Sequence, residues 1–152
     1  TKKKNISFWR VADLLVVPAV FALALGRIAN FINQEIIGTV TNVSWCVKFL
    51  RADPSNCRHP VQLYAAFGRF LTFLFLLRLN QRYKEGFVFW NFITLLGIGR
   101  FLLDFLREDI LYIGLSAGQW LSLVMMVSGL SALMKDYKTD LKILFNLSQK
   151  NS

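Results

Sequence analysis

Between Val11 and Ile37 an apolar run takes on polar side chains without giving way to a loop. Val11 to Leu25 is broken only by Pro18 and, among charges, by Asp13; Arg27, Asn30, Asn33, Gln34 and Glu35 then arrive within nine residues. A membrane helix needs roughly 20 mostly apolar residues. Polar and ionisable groups at that depth are costly and usually face a protein interior or a water-filled cavity. At about 100° per residue, Arg27, Asn30, Gln34 and Gly38 share one helical face, with Asn33 and Glu35 flanking it. The spacing predicts a cationic, amide-rich stripe with the geometry to hold an anion. The alternative is a helix end whose polar residues reach the headgroups, as arginine readily does.

The chain has 152 residues, 55% of them hydrophobic, 14 of them Phe, and a mean hydropathy of +0.44. That is too apolar for an ordinary soluble domain, and the length suits one domain, 1–152. Four windows approach or exceed spanning length: 11–37, 61–79, 86–106 and 115–134. The pattern predicts an all-α integral membrane protein with about four transmembrane helices. A small loop and strand element on the outer side separates the first two. No removable signal peptide is expected. Because the sequence opens on Thr1 rather than Met, it is expected to be a fragment, a processed product or an engineered piece of a longer protein.

The formal charge of +9 describes topology better than nucleic-acid binding, which the apolar spans argue against. With both termini cytoplasmic, Lys48, Arg51, Arg58 and Arg107 lie outside and Arg27, Arg69 and Arg100 lie within spans. The other eleven of the 18 basic residues lie inside, as Lys and Arg bias requires.

After Gly38 the period changes. Thr41, Val43, Trp45, Val47 and Phe49 alternate with Asn42, Ser44, Cys46 and Lys48, which predicts one short strand. Cys46 and Cys57 both fall in this outer segment; they either pair on the oxidising side or stand as two unrelated thiols. In the third span Arg100, Asp104, Arg107 and Glu108 recur at i, i+4, i+7 and i+8, one helical face. Such a row is either part of a site or an interfacial ladder of ion pairs. Gly97 and Gly99 permit close backbone approach, and Trp120 suits an interfacial belt. The tail after Lys135 is polar and weakly amphipathic. One histidine and two cysteines make no metal cluster, and neither metal nor cofactor is expected.

Four ordered blocks carry a resemblance. They are Gly26-Arg27-x-x-Asn30-Phe31-Ile32-Asn33-x-Glu35-x-x-Gly38; Arg58-His59-Pro60-x-Gln62-Leu63-Tyr64; Gly97-x-x-Arg100-Phe101 running on to Arg107; and Ser116-x-Gly118-Gln119-Trp120-Leu121-Ser122. Together they resemble the prolipoprotein diacylglyceryl transferases of bacterial inner membranes. That resemblance implies a seven-helix fold of which this chain looks like the last four helices. It also implies transfer of a diacylglyceryl group from phosphatidylglycerol to the lipobox cysteine thiol of a prolipoprotein signal peptide, within a membrane-lipid environment. Arg27, Arg100 and Glu35 are then the expected catalytic residues. Arg27, Asn30, Asn33, Gly38, Arg100, Asp104 and Arg107 are expected to bind substrate. The chain departs from the family pattern at Ala65, Leu96, Asp104 and Val124, where glutamate, tyrosine, glutamate and proline are usual. A competing reading is a non-catalytic membrane module that binds phosphatidylglycerol or a lipobox peptide. A third is an anion-transporting subunit that uses Arg27 and Arg100.

Overall fold

Four of the apolar stretches form helices long and apolar enough to cross a bilayer: α1 (Phe8–Ile32), α2 (Val61–Leu79), α3 (Phe87–Asp104) and α4 (Ala117–Asp136). The computed structural model describes residues 7–51, 53–79 and 83–150; the expectations for Lys2, Lys3, Lys4 and Arg82 lie outside them. Between α1 and α2 run β1 (Val47–Phe49) and β2 (Asp53–Arg58), an antiparallel pair. Between α3 and α4 sits a two-residue hairpin, β3 (Leu111–Tyr112) and β4 (Leu115–Ser116). A final helix, α5 (Lys138–Lys150), follows α4.

The burial pattern is that of a membrane bundle. Leu15, Phe67, Leu102, Val124 and Val127 are exposed, whereas Gln62, Asn91, Thr94, Asp104, Gln119 and Ser122 are buried. Apolar groups facing hydrocarbon cost nothing, and polar groups gain from finding partners inside. The chain is a multi-pass membrane protein. α1 packs mainly on α2, and α3 on α4. The α3–α4 contact is close because two glycines leave room. A Cβ on Gly97 would lie 3.0 Å from the Ser122 carbonyl oxygen, and one on Gly129 would lie 3.2 Å from the Thr94 backbone nitrogen.

The packed apolar core occupies the end away from the strands. It joins Val16, Val17 and Val20 of α1, Leu76 and Leu79 of α2, Phe87, Val88 and Phe92 of α3, and Leu133 and Tyr137. Its polar anchor is Asp13. α3 begins at Gly86, which adopts a left-handed φ of 93° and has no side chain to cap the helix. Asp13, from α1, supplies the missing acceptors: its Oδ2 accepts from the Gly86 N–H at 2.6 Å and its Oδ1 from the Phe89 N–H at 2.8 Å. A carboxylate on orphan donors at a helix N-terminus also meets the favourable end of the helix dipole.

Three sequence expectations are corrected here. The first span does not reach Ile37. The Asn33, Glu35 and Gln34 N–H groups close the carbonyls of Ala29, Asn30 and Phe31, and Gln34 (φ 59°) and Ile36 (φ 54°) turn the chain left-handed. Gln34 and Gly38 therefore leave the face shared by Arg27 and Asn30. The Gln34 Oε1 instead accepts from the Arg51 N–H at 2.7 Å, which holds the turn. The expected strand from Thr41 to Phe49 is also shorter. Gly38 to Thr41 pairs with Cys57 to His59, a turn intervenes at Ser44 and Trp45, and regular strand resumes only at Val47. Thirdly, α3 ends at Asp104, so Arg107 and Glu108 do not continue its face. The chain is drawn aside because the Leu106 carbonyl accepts from the Thr39 N–H at 2.9 Å and Gly38 pairs with Arg107.

Asp13→Ala is expected to destabilise the protein by about 1–3 kcal/mol, the usual cost of leaving buried donors unpaired. Asp13→Asn, which keeps one acceptor, should cost less. Equilibrium unfolding in mixed micelles would measure both; an unchanged midpoint for the alanine variant would remove Asp13 as the anchor.

Candidate functional site

At the strand end of the bundle the helices diverge around a cavity of about 330 Å3. It is walled by Val20 and Arg27 of α1, by α2 from Val61 to Thr72, and by α3 from Leu95 to Asp104, with Ile36 and Arg107 at its edge. Its wall is largely apolar, as Val20, Val61, Leu95, Leu96 and Leu103 show. Its charged groups are four guanidiniums and one carboxylate: Arg27, Arg69, Arg100, Arg107 and Asp104.

Asp104 sits at the centre of this charge. Its side chain is only 3% exposed. It lies 3.9 Å from the Arg100 Nε, an i,i+4 pair, and 3.4 Å from the Arg107 Nη1. The Ser116 hydroxyl donates to it at 3.4 Å. Ser116 is the N-cap of α4 and forms a capping box with Gln119, so the start of α4 is fixed at the same point. Gly118 completes the arrangement by having no Cβ, since one would collide with the Asp104 Oδ2. Arg107 also donates to Asp109 at 3.0 Å.

The remaining expected site residues are placed as follows. Asn30 is half-buried on α1, away from the cavity wall, and Asn33 is the exposed C-cap of α1. The Glu35 side chain is exposed on the turn after α1 and does not line the cavity. Its backbone carbonyl is engaged instead, accepting from the Gln62 Nε2 at 2.6 Å. Gly38 is buried against His59 and Val61, and its carbonyl accepts from Arg58 at 2.9 Å. The structure thus brings Arg27, Arg100, Asp104 and Arg107 together, and leaves Asn30, Asn33, Glu35 and Gly38 to shape the turn beside them.

Three residues of the region were not among the expected site residues. Gln62 is 1% exposed and lines the cavity; among the described residues its Oε1 is the buried side-chain atom with no hydrogen-bond partner. Arg69 lines the cavity and donates to the Leu23 carbonyl at 3.0 Å. Arg58 binds together three segments: Asp53 at 2.6 Å, Glu108 at 3.1 Å and the Gly38 carbonyl. For Arg69 the signal was present, a lone arginine at mid-span. For Gln62 and Arg58 the partners are distant in sequence.

The strand cap is braced covalently and electrostatically. Cys46 and Cys57 form a disulfide with Cα atoms 5.5 Å apart, which resolves the alternative in favour of pairing. The hydrogen bond from Arg58, aided by Ser55 and Asn56, pulls the Asp53 carboxyl down to about 2. Trp45 donates to the Tyr64 hydroxyl at 2.7 Å, tying the cap to the first turn of α2.

Gly118→Ala is expected to push the Asp104 carboxylate off its partners and cost about 1–3 kcal/mol of stability through overpacking. Gly26→Ala is the control, because a Cβ there meets nothing within 4 Å. Thermal unfolding in detergent compares them, and equal midpoints would refute the steric role of Gly118. Asp53 makes a second prediction. Its folded pKa lies below its unfolded value, so its contribution is complete above about pH 4 and fades as pH falls toward 2. Hydrogen exchange should therefore show the Asn56 amide, which donates to Asp53, losing protection only in that window.

Against known proteins, the model of the family described as prolipoprotein diacylglyceryl transferase matches residues 1–135. Among curated relatives, the phosphatidylglycerol–prolipoprotein diacylglyceryl transferase of Campylobacter hominis is 36% identical, over 97% of this chain and 55% of its own length. The enzymes of that name from Geobacter sulfurreducens and Bacteroides fragilis are 41% and 35% identical. They align over 86% and 85% of this chain, and over 52% and 49% of their own lengths. The chain spans about half the length of the curated relatives it matches. With a family match over most of its residues, the chain belongs to the prolipoprotein diacylglyceryl transferase family.

Proposed function

We propose that the protein containing this chain transfers a diacylglyceryl group from phosphatidylglycerol to the lipobox cysteine thiol of a prolipoprotein, the first step of lipoprotein maturation. The observation that carries this reading is the pair Arg27 and Arg100. They come from two different spans and line one largely apolar cavity. Guanidinium stays charged there and meets phosphate oxygens bidentately.

The reaction then follows from charge. The thiol loses its proton and its sulfur attacks a glyceryl carbon of the lipid. The carbon–oxygen bond to phosphate breaks, and the electron pair leaves on the phosphate of glycerol phosphate. Arg27 and Arg100 hold that phosphate and offset its growing charge in a site where few dipoles compete. Asp104 keeps Arg100 and Arg107 in register. Asn30, Asn33, Glu35 and Gly38 act by fixing the turn that closes the cavity beside Gln62. The substrates are phosphatidylglycerol and the lipobox segment of a signal peptide. The setting is the bacterial cytoplasmic membrane, with both ends of this chain on the cytoplasmic side and the disulfide-bearing cap outside. Residues 1–152 act as one membrane domain.

A second reading, a membrane module that binds phosphatidylglycerol without turnover, is favoured by the exposed position of the Glu35 side chain. One experiment separates the two. The intact protein is reconstituted in phosphatidylglycerol liposomes with a lipobox peptide, and thioether product and glycerol phosphate are assayed. Arg27→Ala and Arg100→Ala should each lower turnover by at least about 100-fold, while Lys48→Ala on the exposed cap should not. Wild-type rates in Arg27→Ala would overturn the phosphate role. Arginine-dependent lipid binding with no product would select the second reading.

A further inference from the structure

Arg69 is the ninth residue of the 19-residue helix α2, about 12 Å along its axis from one end and about 15 Å from the other. An arginine at that depth needs an identified partner. Its one hydrogen bond goes to a neutral group, the Leu23 carbonyl, one turn before Arg27 on α1. Among the described residues no carboxylate lies within 4.0 Å of Arg69 or of Arg27. The single cavity carboxylate, Asp104, is already shared by Arg100 and Arg107. Two guanidiniums of the cavity are therefore uncompensated.

A phosphodiester carries one negative charge and cannot balance both. A phosphate monoester carries about −1.5 to −2 near neutral pH and presents three strong acceptor oxygens. We propose that Arg69 is a further catalytic residue, which binds the phosphate oxygen that becomes free and anionic when its ester bond to the lipid breaks. This rests on the transferase reading above. In that step the sulfur–carbon bond forms as the carbon–oxygen bond breaks. The electron pair moves onto the phosphate oxygen, and the thiol proton is released to solvent. The phosphate changes from a monoanion to a dianion. A cation with no counter-charge in the resting site attracts that second charge more than the first, so it lowers the barrier rather than merely tightening substrate binding. The same guanidinium gives the cavity a preference for phosphate monoesters over diesters.

The test uses the intact protein in phosphatidylglycerol vesicles. Binding of glycerol 1-phosphate is compared with its methyl phosphodiester, larger by one methyl group and one charge poorer, and inorganic phosphate serves as the headgroup-free dianion. The wild-type protein should favour the monoester by at least about tenfold. Inorganic phosphate should follow it if charge alone is read, and bind more weakly if the glycerol is read as well; both outcomes support a dianion site. Arg69→Gln should bring the monoester-to-diester ratio near one. It should also lower kcat at least about tenfold, with KM for phosphatidylglycerol nearly unchanged, and Arg69→Lys should recover part of both. A wild-type protein without the preference overturns the proposal and needs no variant. So does a Gln variant that keeps the preference, or one that raises KM with kcat intact, or one that loses only thermal stability. If Arg27→Ala also leaves turnover untouched, the transferase site itself is misplaced. If Arg27→Ala abolishes turnover and Arg69→Gln changes nothing, only the role of Arg69 falls.

Discussion

Charge at hydrocarbon depth has to be answered from within the protein, and most of this structure can be traced to that constraint. Lipid offers no hydrogen bonds and little screening, so Gln62, Asn91, Thr94, Asp104, Gln119 and Ser122 on α2 to α4 are turned inward. Asp13 is met by the bare N-terminus of α3. Asp104 is met by two arginines and a serine. Arg69 is met only by a carbonyl. The first two arrangements are closed and hold the fold together. The third is open, and it coincides with the cavity.

The site is built from more of the chain than its walls. α4 contributes no cavity-lining residue, yet Ser116 and Gly118 at its start decide where Asp104 rests. The strand cap touches no ligand space inside the bundle. Through Arg58 it nevertheless ties the turn after α1 to the segment after α3, and through Trp45 it reaches α2. Arg107 connects the two regions, lining both the cavity and a second, charged recess beside Arg58. Electrostatic preorganisation of this kind depends on residues that lie outside the cavity wall.

The spans were legible because hydrophobic length is a strong signal, and three of the four bounds fall within two residues of the helices observed. Arg27 and Arg100 were legible for a related reason, since charge stands out in an apolar run. What periodicity missed is the end of each polar helix. Extrapolating a 100° step carried Gln34, Gly38, Arg107 and Glu108 onto faces they do not occupy. The hydrogen bonds that stop α1 and draw the chain aside after α3 include partners from Arg51 and Thr39, far away in sequence. Gln62 was hidden for the same reason, because its partner is a backbone carbonyl 27 residues earlier. The apolar side chains at Ala65 and Leu96 both line the cavity, so two departures from the family pattern fall on the cavity wall.

The distribution of packing along the bundle has a mechanical consequence. At one end the helices share a continuous apolar core, and Asp13 pins α1 to α3. At the other they stand apart around the cavity, joined by the Gly38–Arg107 bridge and the Arg58 contacts. A bundle fixed at one end opens like a peg. Any widening of the cavity would pivot about the core and grow toward the cap, so a small tilt there would become a large gap at the arginines. The bridge at Gly38 then acts as the catch of the peg, and its strength sets how far the jaws part.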